Sequence, residues 1–125
     1  MRPAIRNAAL MNIPSIFIYT HDSITIGEDG PTHEPIEQLN SLRIIPNIML
    51  YRPCSKNEII GTYLDILKKK NPSIIALSRS SVNTKNSLIE EVSKGGYIID
   101  KEKTKIDFII VATGSEVELA LKIKD

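Results

Sequence analysis

Cysteine occurs once in the 125-residue sequence, at Cys54, so the chain cannot form an internal disulfide bond. A protein without disulfides is typical of a reducing compartment, and we therefore expect a cytoplasmic location. No histidine lies near Cys54 in the sequence, which favours a structural thiol over a nucleophile. The longest apolar runs, such as residues 108–112, are much shorter than the ~20 residues that span a bilayer. We therefore expect no membrane association.

An excess of either sign of charge is also lacking, since 16 Lys and Arg accompany 15 Asp and Glu for a net charge of +1. The basic run at residues 68–70 stands where a helix is expected to end, and cations are favoured at helix C-termini. Nucleic acid is therefore not an expected partner. The spacing of a zinc site and the glycine pattern of a phosphate-binding loop are both missing, so we expect no metal site in this chain.

Helical and extended patterns alternate along the first part of the chain. Residues 15–20 (SIFIYT), 47–53 (NIMLYRP) and 72–78 (PSIIALS) are apolar runs of the kind that form strands covered on both faces. Segments with helical apolar spacing separate them. This alternation predicts an α/β fold, in which helices flank a parallel sheet.

Two of the predicted helices have clear start signals. Pro35 suits the first turn of a helix that follows the first strand. Ser55 and Glu58 form a capping box that opens the helix after the second strand. The apolar residues of this second helix recur at helical spacing and predict a buried stripe formed by Ile60, Tyr63, Leu64 and Leu67.

The pattern changes after residue 80. Residues 81–97 are rich in Ser and Asn and contain a Gly-Gly pair, which predicts a linker. Residues 105–114 (KIDFIIVATG) predict a further buried strand, followed by a capping box at Ser115 and Glu118. We therefore expect a partial α/β domain over residues 1–80, a linker over 81–97 and the start of a second α/β domain over 98–125. The last unit is too short to bury its strand, so we expect the chain to be a fragment.

Polar side chains follow the predicted strands at the edge where parallel sheets bind ligands. His21 and Asp22 follow the first strand, Arg52 ends the second, and Ser78 with Arg79 ends the third. Neighbouring parallel strands lie only about 4.8 Å apart, so an imidazole and a guanidinium should meet at this edge. Together they suit a phosphate group. The alternative is that Arg79 pairs with a surface carboxylate while His21 caps a turn.

The loop at residues 20–35 (THDSITIGEDGPTHEP) contains both histidines of the chain. Gly27 and Gly30 permit positive φ, and the proline that follows stiffens the turn that carries Asp29 and His33. A carboxylate beside an imidazole suits the hydroxyl groups of a polyol. A charged turn of no special purpose is the alternative.

Five stretches of the sequence together resemble the transketolase family: MRPAIRNAALM, YTHDSITIGEDGPTHEPIEQLNSLRIIPN, RP at residues 52–53, PSIIALSR and IIVATGSEVELAL. The resemblance covers the second half of the family's pyrimidine-binding domain, the connecting segment and the start of its C-terminal domain. It implies the thiamine-diphosphate-binding fold and the transfer of a two-carbon ketol unit from a ketose phosphate to an aldose phosphate in the pentose phosphate pathway. It also implies thiamine diphosphate and Mg²⁺ as cofactors and a homodimeric complete protein.

The resemblance also implies roles for individual residues. His21 resembles the family histidine that contacts the substrate phosphate, and Arg79 resembles its arginine partner. Asp29 resembles the aspartate that binds a sugar hydroxyl, and His33 resembles the histidine nearest to the reacting carbons. Glu34 stands where the family commonly has glutamine and adds a negative charge beside a site for an anionic substrate. The main ligands of cofactor and metal have no counterpart here, so we assign no certain catalytic residue and no cofactor-binding residue.

Two other functions are compatible with the sequence. A non-catalytic remnant or split-gene product would be inactive alone, and we also expect the isolated chain of a genuine transketolase fragment to be inactive. A deoxyxylulose phosphate synthase-like enzyme has a loop similar to DGPTH, but the stretch THDSI is a transketolase feature.

Overall fold

The structure is a computed structural model that describes residues 2–82, 84 and 87–124. Helices and strands alternate in these residues, in the order helix α1 (Arg2–Leu10), strand β1 (Ile16–Thr20), helix α2 (Gln38–Arg43), strand β2 (Met49–Tyr51), helix α3 (Lys56–Lys69), strand β3 (Ser73–Leu77) and helix α4 (Glu116–Lys124). Two short 3₁₀ helices span Ile24–Ile26 and Ile89–Lys94. None of the helices in the described ranges is long and apolar enough to cross a membrane.

Strand β3 lies at the centre of a three-stranded sheet, with the order β1-β3-β2. Both neighbours run parallel to it. A central parallel strand is bonded on both sides and covered on both faces, which explains its almost uninterrupted apolar sequence. Its residues from Ser73 to Ala76 are buried. The predicted α/β fold, a parallel sheet with flanking helices, is therefore confirmed.

One face of the sheet packs against α1. Phe17, Ile74 and Leu50 are partners in the strand register, so their side chains point to the same face. There they pack with Ile5 and Ala9 of α1. This cluster is the apolar core that fixes α1 next to the sheet.

Helix α3 begins where the capping box predicts. The hydroxyl of Ser55 accepts a hydrogen bond from the N–H of Glu58 at 3.2 Å. The carboxylate of Glu58 accepts from the N–H of Cys54 at 2.7 Å, one residue before the expected donor. The start of α2 differs from the prediction, because α2 begins at Gln38 rather than at Pro35.

The buried side of α3 is not the predicted stripe. Asp65 and Ile66 are buried, and the hydroxyl of Tyr51 in β2 donates to Asp65 at 2.7 Å. By contrast, Leu64 and Leu67 are 58% and 64% exposed. The prediction was wrong because apolar periodicity locates a stripe on a helix but does not identify which side packs against the sheet.

The second half of the expected linker packs along α3. The hydroxyls of Ser55 and Ser87 are hydrogen-bonded at 2.5 Å in a buried position. Asn57 donates to the carbonyl of Ser87 at 3.0 Å, and Tyr97 donates to Glu58. These contacts attach the segment to the sheet domain, while the three-part division of the chain stays a prediction.

The strand predicted over residues 105–114 does not occur in the described structure. Phe108 and Val111 are 71% and 87% exposed. A strand needs a neighbour to satisfy its backbone N–H and C=O groups. No described strand pairs with these residues, so their β-forming composition alone does not produce a strand.

Gly61 of α3 lies against the second 3₁₀ helix. A Cβ at this position would lie 2.5 Å from the carbonyl oxygen of Ile89 and 2.7 Å from Cγ2 of Val92. Alanine normally stabilises a helix interior by about 1 kcal/mol relative to glycine, but overpacking costs about 1–3 kcal/mol. We expect Gly61→Ala to lower the free energy of unfolding, as measured by urea denaturation.

Gly96→Ala is the matched control, because nothing lies within 4 Å of a Cβ there. We expect its unfolding free energy to stay within about 0.5 kcal/mol of the parent. Equal stability of the two variants would show that the contact between α3 and the 3₁₀ helix is looser than described.

The thiol of Cys54 should be unreactive in the folded chain. Burial is the largest influence on the pKa of this thiol and raises it to about 11, although a hydrogen bond with Thr84 acts to lower it. Since the thiolate is the nucleophile, only about 0.1% of the thiol is reactive at pH 8. We expect an aromatic disulfide reagent to react at least ~100-fold more slowly with the folded chain than with the urea-unfolded chain. Equal rates would contradict a buried thiol.

Candidate functional site

The carboxyl ends of β1 and β3 lie side by side, because Thr20 and Leu77 are partners in the register. His21 and Arg79 therefore leave the sheet from the same edge. Open parallel sheets bind their ligands at this edge. The strand pairing thus brings together two residues that are far apart in the sequence.

His21 adopts an unusual backbone conformation directly after β1. Its φ of +64° lies in the left-handed region, which is unfavourable for a residue other than glycine. Its Nδ1 lies 2.9 Å from the hydroxyl of Thr20, and the residue is exposed. The imidazole is therefore fixed to the end of the strand while it remains open to solvent.

Arg79 is attached to the loop that carries His21. Its guanidinium donates to the carbonyl oxygen of Ile26 at 2.5 Å. Ile26 is buried at the end of the first 3₁₀ helix, whose start is capped by Ser23 through a 3.4 Å bond from the N–H of Thr25. The acceptor of this bond is a carbonyl group rather than the surface carboxylate of the alternative.

The turn after this 3₁₀ helix carries Asp29 and His33. Gly27 and Gly30 have φ values of +82° and +71°, and the N–H of His33 donates to the carbonyl of Gly30 at 3.1 Å. The hydroxyl of Thr32 lies 2.9 Å from Nδ1 of His33. Asp29 and His33 are both exposed. The turn therefore fixes the backbone and leaves both side chains at the surface, further along the loop than His21.

Asp22 and Arg52 form a buried ion pair below this loop, which the sequence did not predict. Nε of Arg52 donates to Oδ2 of Asp22 at 2.5 Å, and the two side chains are 11% and 2% exposed respectively. Burial acts to lower the pKa of Arg52, but hydrogen bonds to Glu116 and Asp22 raise it overall. The sequence contained one indication of this pair: an acidic residue follows β1 and a basic residue follows β2, at the same edge of the sheet.

The segment at the start of α4 contacts the same arginine. Nη1 of Arg52 donates to the carbonyl of Thr113 at 2.9 Å and to its hydroxyl at 3.1 Å, and it pairs with the carboxylate of Glu116. Burial acts to raise the pKa of Glu116, but the bonds from Arg52 and Ser115 lower it overall. This segment therefore docks at the edge of the sheet where the parallel strands end.

A cavity of about 290 Å³ lies beside His21. Its lining comes from α1, β1 and α2 with one residue of β3, and it includes Arg2, Gln38 and Ser41. Arg2 donates to the carbonyl of Ser41 at 3.0 Å. The volume is close to the lower limit of typical small-molecule sites, so it could accept only a small group.

The described residues do not fit a metal site. They contain no group of three or more His, Cys, Asp or Glu side chains that could hold a metal ion. The edge instead offers imidazole, guanidinium and carboxylate groups at the surface. These groups suit phosphate oxygens and sugar hydroxyls.

The fold and this edge define an α/β domain in which polar loops follow the carboxyl ends of parallel strands. Residues 1–85 match the family described as transketolase, pyrimidine binding domain. The chain belongs to the transketolase family.

Similar curated proteins carry the same name. The chain is 52% identical over 130 residues to a transketolase of Aquifex aeolicus, and the match covers 100% of this chain and 19% of that protein. It is 48% identical over 126 residues to a chloroplastic transketolase of Solanum tuberosum, covering 98% of this chain and 17% of that protein. The chain thus spans about a fifth of the length of the relatives that it matches.

Solved structures agree with this assignment. The transketolase of Pichia stipitis in complex with sedoheptulose-7-phosphate superimposes with a TM-score of 0.88 at 45% identity, covering 96% of this chain and 18% of that chain. The transketolase of Leishmania mexicana gives a TM-score of 0.90 at 38% identity, with the same coverage.

Proposed function

We propose that this chain is part of a transketolase, which transfers a two-carbon ketol unit from a ketose phosphate to an aldose phosphate in the pentose phosphate pathway. In this proposal the chain supplies residues that bind sugar phosphates. The observation that carries it is the meeting of His21 and Arg79 at one sheet edge, with Arg79 bonded to the loop of His21. A Pichia stipitis relative solved with sedoheptulose-7-phosphate supports the same substrate class.

His21 and Arg79 would bind the phosphate group of the substrate. Hydrogen bonds between a guanidinium and phosphate oxygens are charge-assisted and directional, and a histidine can complete the set of donors. Both residues are exposed, so a phosphate can approach without displacing a protein partner from the core.

The turn at residues 27–33 would bind the sugar itself. The carboxylate of Asp29 accepts hydrogen bonds from hydroxyl groups and so selects the stereochemistry of the sugar. His33 would lie nearest to the reacting carbons. Glu34, which is partly buried next to His33, places a negative charge beside an anionic substrate.

We propose thiamine diphosphate and Mg²⁺ as the cofactors of the complete protein. The family resemblance implies that the main ligands of both groups lie outside this chain, so we derive no step through either. We also propose that the complete protein is a homodimer and that it is cytoplasmic.

The phosphate role of Arg79 can be tested in a complete enzyme. This chain would replace the segment that it matches in the Aquifex aeolicus transketolase. We expect Arg79→Ala in this chimera to raise the KM for xylulose phosphate by about 10- to 150-fold, which corresponds to about 1.5–3 kcal/mol of lost binding. The KM for unphosphorylated xylulose should change little, because that sugar lacks the group that Arg79 binds.

Arg43→Ala is the matched control, since Arg43 is an exposed arginine at the end of α2. It should leave both KM values unchanged. An equal effect of Arg79→Ala on the two sugars would remove Arg79 from the phosphate role. A folded chimera without any ketol transfer would support the alternative of a non-catalytic remnant.

The 125-residue chain alone should show no ketol transfer. The assay would supply thiamine diphosphate, Mg²⁺, xylulose phosphate and ribose phosphate, with the chimera as the positive control. We expect no turnover because the described residues include no site for the metal ion. Measurable turnover by the chain alone would refute the placement of the cofactor ligands outside it.

A further inference from the structure

Arg52 connects three parts of the chain at the ligand-binding edge. It follows β2, it bonds to Asp22 next to His21, and it bonds to Thr113 and Glu116 at the start of α4. With 11% of its side chain exposed, Arg52 is much less accessible than the other arginine of this edge, Arg79. The two arginines therefore differ in how accessible they are to a ligand.

The described bonds of Arg52 all go to acceptors within the protein. Nε donates to Asp22, and Nη1 donates to Thr113 and pairs with Glu116. Only 11% of the side chain is exposed, so little of the guanidinium is open to a substrate at the surface. Any effect of Arg52 on substrate binding must therefore act through the residues that it contacts.

Asp22 gives Arg52 a direct connection to His21. The carboxylate of Asp22 is 2% exposed, and its Oδ1 has no hydrogen-bond partner among the described residues. A buried carboxylate is costly unless a cation compensates its charge. Arg52 provides that cation, and Asp22 is the residue that immediately follows the strained backbone of His21.

The segment before α4 covers the guanidinium. Gly114 has a φ of +57°, and a Cβ there would lie 2.8 Å from both Cζ and Nε of Arg52. Only glycine therefore allows this segment to approach so closely. Its approach excludes water from the ion pair, which strengthens the attraction between Asp22 and Arg52.

We propose that Arg52 is a positioning residue: through Asp22 it fixes the conformation of His21, and the docked segment 113–116 supports it. The region that follows the sheet domain would thereby control the affinity of the edge for phosphorylated sugars. This inference rests on the proposed function, in which His21 contacts the substrate phosphate. It adds a connection between that site and a segment that touches no substrate.

The test uses the same chimera with four variants: Arg52→Lys, Asp22→Asn, Gly114→Ala and His21→Ala. We expect the first three to raise the KM for xylulose phosphate by about 5- to 20-fold, while kcat and the KM for unphosphorylated xylulose change less than about twofold. Lysine keeps the charge of Arg52 but replaces its planar guanidinium with one compact ammonium, which lacks the separate Nε and Nη1 donors that bond to Asp22 and to Glu116. Arg43→Lys is the matched control and should behave as the parent.

Gly114→Ala keeps the test informative if the changes to the buried pair prevent folding. Gly114 lies outside the sheet, and a Cβ there would collide with the side chain of Arg52, so the substitution separates the docked segment from Arg52 without changing a charged group. If the bonds of Arg52 only stabilise the fold, the variants should have a lower melting temperature and an equally reduced turnover of both sugars. That result, or unchanged kinetics for Gly114→Ala, would overturn the inference.

His21→Ala separates the inference from the proposed function. If His21→Ala raises the KM for xylulose phosphate but Arg52→Lys does not, the proposed function stands and the positioning role of Arg52 is rejected. If His21→Ala leaves that KM unchanged, the phosphate role of His21 is rejected, and the inference is rejected with it.

Discussion

The parallel pairing of β3 with both β1 and β2 is the constraint on which the rest of the structure depends. Because the three strands run in one direction, the loops that follow them leave from a common edge. This arrangement gathers His21, Arg52 and Arg79 from widely separated parts of the sequence. The burial of β3 on both faces, against α1 on one side, holds the edge in a fixed geometry.

The polar side chains at this edge of the sheet differ in their exposure to solvent. Asp22 and Arg52 lie below the surface and neutralise each other, whereas His21 and Arg79 remain accessible to solvent. The buried pair has a desolvation cost that only close, well-oriented bonds can offset. The exposed pair keeps its hydration and can exchange it for the oxygens of a ligand. A rigid lower layer and an accessible upper layer are what a binding site for an anionic sugar requires.

Features that depend on local composition could be predicted from the sequence. The apolar runs around Phe17, Leu50 and Ile74 indicated the strands, and the rule for strand ends placed His21 and Arg79 at one edge. Features that depend on distant partners could not be predicted. The apolar stripe of α3 did not reveal that Asp65 faces the sheet. Similarly, nothing in the pattern around Glu116 indicated that this residue pairs with an arginine 64 positions earlier. The residues assigned to substrate remain predictions, because their roles came from the family resemblance.

The exposed apolar segment at residues 106–111 affects how the chain behaves in solution. Ile109 is 77% exposed, and only one charged residue, Asp107, interrupts the run. An exposed segment of this composition can pair with apolar segments of other molecules, including the same segment of a second copy. Dilute samples therefore favour separate molecules, and concentration favours precipitation or fibrous aggregates. A fusion partner rich in acidic residues would oppose this tendency by electrostatic repulsion.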